Sequence, residues 1–309
     1  MDLEPQSQAA ADAKAAGGVG ISDLDVDSAR ALMLSFRNLD ASPKQVASKT
    51  DLVTTDREVP VRVYVPHDPT PGLPPVVYIH GGGWVLGEID DFDAFCREIA
   101  EGAGATVVSV GYRLAPEHRF PVPIDDCWDA VQWAAHELAP DGRIVLMGDS
   151  AGGNLAAVCA RRARDAGAPE VVAQVLAYPN MDSRLDRDSH TTHGEGYLTT
   201  TADLVWFWDK YIADPADRNV PDASPLQVEE FAGLPPAFIL LATHDPLHDE
   251  GVAYADALRA ADVPVELVVI PGVMHGFLTA LGQLDAADQG IGLVADYLRA
   301  LPGVPAESV

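Results

Sequence analysis

One serine stands between two glycines in the segment Gly148-Asp149-Ser150-Ala151-Gly152, and a serine hydroxyl becomes a nucleophile once a base takes its proton. The segment follows the apolar residues 143–147 and precedes a helix-forming stretch at 154–166. Small flanking residues suit a tight strand-to-helix turn, where larger side chains would collide with both elements. The pattern predicts a nucleophile elbow at Ser150, with Asp149 pointing away, although a tight turn with a solvated hydroxyl would show the same residues.

A catalytic serine needs a histidine as its base, and the histidine needs a carboxylate that holds it in the right tautomer. In open parallel sheets such groups lie just after the strands, at their carboxyl ends. His275 follows the apolar run 265–270, and Asp245 follows the run 237–243. The order serine, aspartate, histidine is that of the α/β-hydrolase arrangement.

Three other residues compete for the two partner roles. His244 is also at a strand end, but it precedes the acid in sequence and would break the usual order. Asp249 and Glu250 fall on the helix expected after this strand, one turn further from the strand end. These positions favour Asp245 as the acid and His275 as the base.

Three consecutive glycines follow the apolar run 75–79, within the segment HGGGW at 80–84. Acyl transfer builds a negative oxygen that aimed backbone N–H groups stabilise, and glycines let the main chain approach a substrate. A glycine run alone is more often a flexible loop, but a dinucleotide fingerprint is excluded because the G-x-G-x-x-G spacing is absent. The predicted oxyanion-hole donors are the N–H groups of Gly82, Gly83 and Ala151, with His80 and Gly81 as the supporting loop.

Short apolar runs alternate with helix-like stretches along most of the chain. The runs lie at 59–65, 75–80, 106–112, 143–148, 171–178, 237–243 and 265–270. Continuous apolar runs favour strands covered on both faces, whereas the alternating run 59–65 suits a half-buried strand, and its Pro60 suits an edge position. Helix-like stretches lie at 91–101, 124–138, 154–166, 248–261 and 284–301. This order predicts an α/β fold with a mostly parallel sheet and helices on both faces.

Two regions depart from this rhythm. The first fifty residues contain an Ala-rich polar start and an amphipathic helix at 28–39, and residues 181–225 are polar before an aromatic helix at 202–212. The aromatic side chains of that helix either pack in the core or cover a substrate cleft, and both interpretations stay open. They are Trp206, Phe207, Trp208 and Tyr211. We predict N-terminal cap helices at 1–50, a catalytic domain at 51–181 and 226–309, and a cap insertion at 182–225.

The chain has 309 residues and a formal net charge of −27. Such a surface repels phosphate backbones and anionic head groups, so we expect neither nucleic-acid binding nor strong adsorption to an anionic membrane. No apolar stretch approaches a membrane span, and the start lacks the basic region of a signal peptide. A cytoplasmic location is therefore expected.

Cysteine and histidine spacing gives no sign of a metal site. Cys96, Cys127 and Cys159 form no C-x-x-C pair and are expected to be buried free thiols. His190 and His193 are three residues apart, but they lack a third ligand nearby and are expected to be polar loop residues. We therefore expect no metal and no cofactor.

Five motifs together resemble the bacterial hormone-sensitive-lipase family of carboxylesterases, also called family IV. They are HGGGW at 80–84, YRLAPEHRFP at 112–121, GDSAGGN at 148–154, DPLHDEG at 245–251 and HGF at 275–277. The resemblance runs over about residues 61–301, and the serine motif fits the subgroup with G-D-S-A-G. It implies the same site residues as the chemistry above, while the segment 112–121 is expected to hold the loops around the site.

The resemblance implies an α/β-hydrolase fold with about eight strands and a helical cap. The implied activity is hydrolysis of short- to medium-chain acyl esters through an acyl-enzyme intermediate, with a small-molecule ester as substrate. An amidase or formamidase on the same triad is an alternative, and a non-catalytic receptor is disfavoured because His275 is present. Family members often dimerise, so a homodimer is a further expectation.

Overall fold

The computed structural model describes residues 2–17, 19–35 and 42–304, and an eight-stranded sheet runs through its centre. The strands are β1 (Ser48–Val53), β2 (Pro60–Val65), β3 (Val76–Ile79), β4 (Val107–Val110), β5 (Arg143–Asp149), β6 (Glu170–Ala177), β7 (Ala237–His244) and β8 (Val265–Met274). Their order is β1-β2-β4-β3-β5-β6-β7-β8. Only the β1–β2 and β2–β4 pairs are antiparallel. The predicted mostly parallel sheet is confirmed.

Helices cover both faces of this sheet. They are α1 (Pro5–Gly17), α2 (Val26–Ser35), α3 (Asp93–Ala103), α4 (Val122–Leu138), α5 (Ala151–Ala166), α6 (Ser189–Thr192), α7 (Thr201–Tyr211), α8 (His248–Ala260) and α9 (Asp285–Arg299). Buried residues of α4, α5 and α8 share one apolar cluster with one face of the sheet, and those of α3 and α9 share a second cluster with the other. Neighbouring residues of a strand therefore enter different clusters, as the alternation of side chains requires.

The edge of the sheet differs from the sequence prediction. β1 was not predicted, because all six of its residues are exposed and its sequence shows no apolar alternation. The expectation that Pro60 lies on an edge strand is wrong, since β1 pairs along β2 and Pro60 is the first residue of β2, opposite Val53. A strand tolerates proline at its first residue as well as at an edge.

The described part of the N-terminal region contains two α-helices. Residues predicted only as a polar start form α1, and the helix predicted at 28–39 is α2, of which residues 36–39 lie outside the described residues. The Lys14 ammonium of α1 donates to the carbonyl oxygens of Tyr197 (3.0 Å) and Leu198 (2.9 Å) in the insertion. The Ser22 N–H likewise donates to the buried Asp203 carboxylate of α7 at 2.9 Å. These bonds join the N-terminal region to the insertion.

The aromatic helix α7 packs in the core and also contacts the glycine-rich loop, while a cover over a substrate cleft stays a prediction. Trp208 and Tyr211 are fully buried, and both rings pack on Trp84 of the glycine-rich loop, with ring centroids 4.6 and 4.4 Å away. The partly exposed Phe207 lies so close to Gly83 that a Cβ on this glycine would overlap its ring. One part of α7 is therefore core, and Phe207 covers the glycine loop.

The structure also bears on the cysteines and on membrane-spanning helices. Cys96, Cys127 and Cys159 are buried and form no disulfide, and burial raises the pKa of the Cys159 thiol to about 12. None of the described helices combines the length and the apolar character that crossing a bilayer requires.

The close approach of α5 to β3 yields a stability prediction. A Cβ on Gly152 would overlap the carbonyl oxygens of Ile79 and His80, so Gly152→Ala should lower the free energy of unfolding by about 1–3 kcal/mol. Gly292 in α9 has no atom within 4 Å of such a Cβ, so Gly292→Ala should raise it by about 0.5–1 kcal/mol. Urea unfolding of both variants tests this, and equal effects would contradict the predicted contact.

Candidate active site

Ser150 lies on a strained turn between β5 and α5. Its φ of 52° falls in the left-handed region that few residues other than glycine adopt, and its N–H donates to the carbonyl of Ala177 at 2.9 Å. A Cβ on Gly148 would overlap the backbone of Gly152, and one on Gly152 would overlap the end of β3. The two glycines thus allow the helix to start directly behind the serine, which is the geometry of a nucleophile elbow.

The structure brings Ser150, His275 and Asp245 together in one hydrogen-bonded chain. Ser150 Oγ is 2.9 Å from His275 Nε2, and His275 Nδ1 is 2.8 Å from Asp245 Oδ2. The other carboxylate oxygen of Asp245 accepts the N–H of Leu247 at 2.7 Å, and this side chain is fully buried. With the Nδ1 proton directed at Asp245, Nε2 is free to accept the serine proton.

The competing residues bond elsewhere. Asp249 accepts the N–H of Ser189 at 2.8 Å, and Glu250 accepts the N–H of Asp182 at 2.8 Å. The Nδ1 of His244 lies 3.0 Å from the hydroxyl of the neighbouring Thr243. The geometry therefore supports the predicted roles of Asp245 and His275.

The predicted oxyanion loop has the backbone that its glycines permit. Gly82, Gly83 and Trp84 all have positive φ, at 106°, 60° and 61°. Among the described hydrogen bonds, none uses the N–H of Gly82 or Gly83, and Ala151 is the first residue of α5, where an N–H lacks an intrahelical acceptor. These groups can donate to a ligand, which supports their predicted role.

Asp149 connects the elbow to this loop. Its Oδ1 accepts the N–H of Gly81 at 2.9 Å and the hydroxyl of Tyr78 at 2.7 Å, and the residue is 5% exposed. Burial raises the pKa of this carboxyl, while the two donors oppose that rise. Sequence reasoning assigned Asp149 no role, because Gly81 and Tyr78 are distant in the chain.

His80 is a buried, structural residue next to the glycine loop at 81–83. Its Nδ1 lies 2.7 Å from the carbonyl of Gly81, and its ring stacks on Tyr112 with centroids 4.4 Å apart. The Tyr112 hydroxyl also donates to the carbonyl of His80 at 2.8 Å. Burial lowers the pKa of His80 to about 4, so the imidazole is neutral at physiological pH and donates from Nδ1.

One sequence expectation about this region is wrong. His190 is not a polar loop residue, since it is 5% exposed, lies on α6, and has its Nε2 2.9 Å from the Glu250 carboxylate. The prediction of a polar loop rested on the polar residues that surround His190 in the sequence. Among residues 2–17, 19–35 and 42–304, no group of three or more His, Cys, Asp or Glu could hold a metal ion.

Tyr178 is a further neighbour of the base that sequence reasoning missed. Its ring meets His275 edge-on with centroids 4.8 Å apart, directly after β6. Its position after a strand, next to the strand of the nucleophile, was the available signal. The ring therefore packs directly against the His275 imidazole.

The charges around His275 favour its protonated form. Burial alone would lower its pKa, but the charge and hydrogen bond of Asp245 and the charges of Asp149 and Glu250 outweigh burial, so the pKa is raised. A raised pKa makes the imidazole a stronger base for the serine proton. The buried carboxylates therefore suit proton transfer from Ser150.

The two histidines of the site should titrate in different pH ranges. Because His80 has a pKa of about 4, its imidazole C–H resonances should not move between about pH 5 and pH 8. His275 should titrate with a midpoint above its ordinary value of 6.5. NMR titration measures both, with His275→Gln to assign the signal, and a midpoint below 6.5 for His275 would contradict the charge arrangement.

Comparison with known proteins places the chain in a family. A family model for the alpha/beta hydrolase fold matches residues 76–279, which include the glycine loop and all three triad positions. The chain is 39% identical over 295 residues to ethyl acetate hydrolase of Pseudomonas putida, covering 89% of this chain and 90% of that protein. It is 43% identical over 242 residues to Carboxylesterase NlhH of Mycobacterium tuberculosis, covering 76% of each.

The fold of one solved esterase structure matches that of this chain over nearly the whole length of both. The hyperthermophilic esterase from the archaeon Pyrobaculum calidifontis superposes with a TM-score of 0.89 at 35% identity, covering 97% of this chain and 99% of that one. The resemblance noted in the sequence is therefore confirmed. The chain belongs to the α/β-hydrolase family, in the hormone-sensitive-lipase-like group that contains these carboxylic ester hydrolases.

Proposed function

We propose that this protein is a serine carboxylesterase that cleaves small acyl esters through an acyl-enzyme intermediate. The observation that carries the proposal is the continuous hydrogen-bonded chain from Ser150 Oγ through His275 to the buried Asp245. The two relatives named above, ethyl acetate hydrolase and Carboxylesterase NlhH, are ester hydrolases, which supports the same reaction class here.

In the first half of the proposed reaction, His275 Nε2 takes the Ser150 proton while Oγ attacks the ester carbonyl carbon. The carbonyl oxygen becomes negative and accepts from the N–H groups of Gly82, Gly83 and Ala151. The tetrahedral intermediate then collapses, and His275 gives the proton to the leaving alcohol. The acyl group remains bound to Ser150.

In the second half, water takes the place of the alcohol. His275 removes a proton from it, and the resulting hydroxide attacks the acyl carbonyl. The carboxylic acid leaves, and the proton returns to Ser150 Oγ. Asp245 remains ionised throughout and orients the imidazole.

A small substrate fits the surroundings of the oxyanion loop. Phe207 of α7 lies directly against Gly83, and Arg30 of α2 donates to the carbonyl of Val85, just beyond the loop, at 3.0 Å. The N-terminal region and the insertion, proposed as the cap, thus both contact the loop, and we infer that they bound an acyl pocket too small for a long chain. A cytoplasmic location and a homodimer stay predictions.

Substitution of the triad tests the assignment. Ser150→Ala should lower kcat by at least about 10³ because the nucleophile is lost, while thermal unfolding stays near that of the parent protein. Asp245→Asn should lose on the order of 10³–10⁴, because an amide favours the wrong imidazole tautomer, and Asp249→Asn should lose far less. Retained activity in Ser150→Ala, or the reverse order of the two aspartates, would overturn the assignment.

Acyl chain length tests the substrate class. We expect kcat/KM for p-nitrophenyl acetate and butyrate to exceed that for the palmitate ester by on the order of 10² or more, because Phe207 limits the pocket. A butyryl anilide serves as the matched amide and should be the slower substrate. A preference for palmitate contradicts the proposed pocket, and a preference for the anilide favours the amidase alternative.

A further inference from the structure

The first part of the insertion contacts the turn that carries the catalytic acid. The hydroxyl of Ser189, the first residue of α6, donates to the carbonyl of Pro246 at 2.7 Å. The Ser189 N–H donates to Asp249 Oδ2 at 2.8 Å, and the Asp249 N–H donates back to the Ser189 hydroxyl at 3.3 Å. Three hydrogen bonds therefore fix α6 to the residues directly after Asp245.

Glu250 adds a second connection at the same place. This residue of α8 is fully buried, and one of its carboxylate oxygens accepts the N–H groups of Met181 and Asp182, where the insertion begins. The other oxygen lies 2.9 Å from His190 Nε2. The start of the insertion and α6 are thus both bound to one carboxylate.

The hydrogen bonds of His190 define which of its nitrogens carries the proton. The N–H of Arg187 donates to His190 Nδ1 at 3.1 Å, so Nδ1 is an acceptor. The proton therefore resides on Nε2, which donates to Glu250. This donor pairs with Glu250 Oε1. Without it, that carboxylate oxygen would be buried with no donor from His190, which is costly.

The turn also has hydrogen bonds of its own, and His248 Nδ1 lies 2.8 Å from the carbonyl of Ala242 in β7. Asp245 accepts the Leu247 N–H through its side chain and the His248 N–H through its carbonyl, at 2.7 and 3.1 Å. One side of the turn is fixed by β7, and the other side meets α6 and Glu250. A displacement of the order of 1 Å at a catalytic group can cost about 10²-fold in rate. The contacts of α6 are therefore made at a turn where a small displacement of Asp245 would lower the rate.

We propose that Ser189, His190 and Glu250 are positioning residues, which form a brace that holds Asp245 against His275 Nδ1. Through the brace, two residues at the start of the insertion position the triad from outside the sheet. This inference rests on the proposed function for its kinetic consequences, while its structural consequence, the Asp245–His275 hydrogen bond, can be measured separately.

The test compares full-length variants in steady-state kinetics with p-nitrophenyl butyrate. His190→Leu removes the donor to Glu250 and should lower kcat on the order of tenfold, with KM within about twofold. His190→Gln keeps an N–H donor and should restore most of the activity. Ser189→Ala should lower kcat in the same way. Its matched control Thr192→Ala should not, since that exposed hydroxyl of α6 donates to the nearby carbonyl of Asp188 and, within the described part of the chain, to no group of the turn.

A spectroscopic readout separates positioning from general loss of structure. The proton between His275 Nδ1 and Asp245 should give a low-field NMR resonance, which should weaken or shift in His190→Leu and Ser189→Ala and stay in place in His190→Gln and Thr192→Ala. If His190→Leu fails to fold, the pair Ser189→Ala and Thr192→Ala decides the question with both readouts.

Three outcomes overturn the brace. The first is a folded His190→Leu or Ser189→Ala with parental kcat and an unchanged low-field resonance. The second is a change in KM alone, because the insertion would then affect only substrate binding. The third is a His190→Gln as impaired as His190→Leu. If the parent protein cleaves no ester, the proposed function fails, and the low-field resonance alone still tests the brace.

Discussion

The close packing of α5 against the ends of β3 and β5 is the constraint on which the site depends. The packing leaves no room for a Cβ at Gly148, which faces the backbone of Gly152, or at Gly152, which faces the end of β3. Because both residues are glycines, the helix can begin directly behind Ser150. This contact forces the serine into a positive φ and places the end of β3, with its glycine loop, beside the nucleophile. Backbone packing thus sets the relative positions of Ser150 and the glycine loop, and the side chains of His275 and Asp245 complete the site.

Three buried carboxylates surround one imidazole, and each is satisfied in a different way. Asp245 accepts from His275 and a turn N–H, Asp149 from the glycine loop, and Glu250 from the insertion. Burying a carboxylate is costly unless donors meet its oxygens. Since each set of donors belongs to a different segment, the charges that favour protonation of His275 also hold those segments together.

Sequence reasoning could propose a triad because the chemistry depends on residue type and on strand ends. Ser150, Asp245 and His275 were identifiable because apolar runs mark the strands and the reactive residues follow them. The brace on Asp245 was not, because Ser189 meets Asp249 and His190 meets Glu250 through tertiary contacts between segments sixty residues apart. β1 escaped detection for another reason, since an exposed edge strand lacks the periodicity that reveals a half-buried one.

The bonds between the N-terminal region and the insertion join residues that are far apart in the chain. Lys14 reaches carbonyls 183 and 184 positions along the chain, and Ser22 reaches Asp203 across 181. Closing such long loops is entropically expensive, and contacts of this kind form slowly. During synthesis α1 emerges before the insertion, so the bonds of Lys14 and Ser22 can form only after residues 197–203 have been made. These contacts are thus completed after strands β1 to β6 have been synthesised.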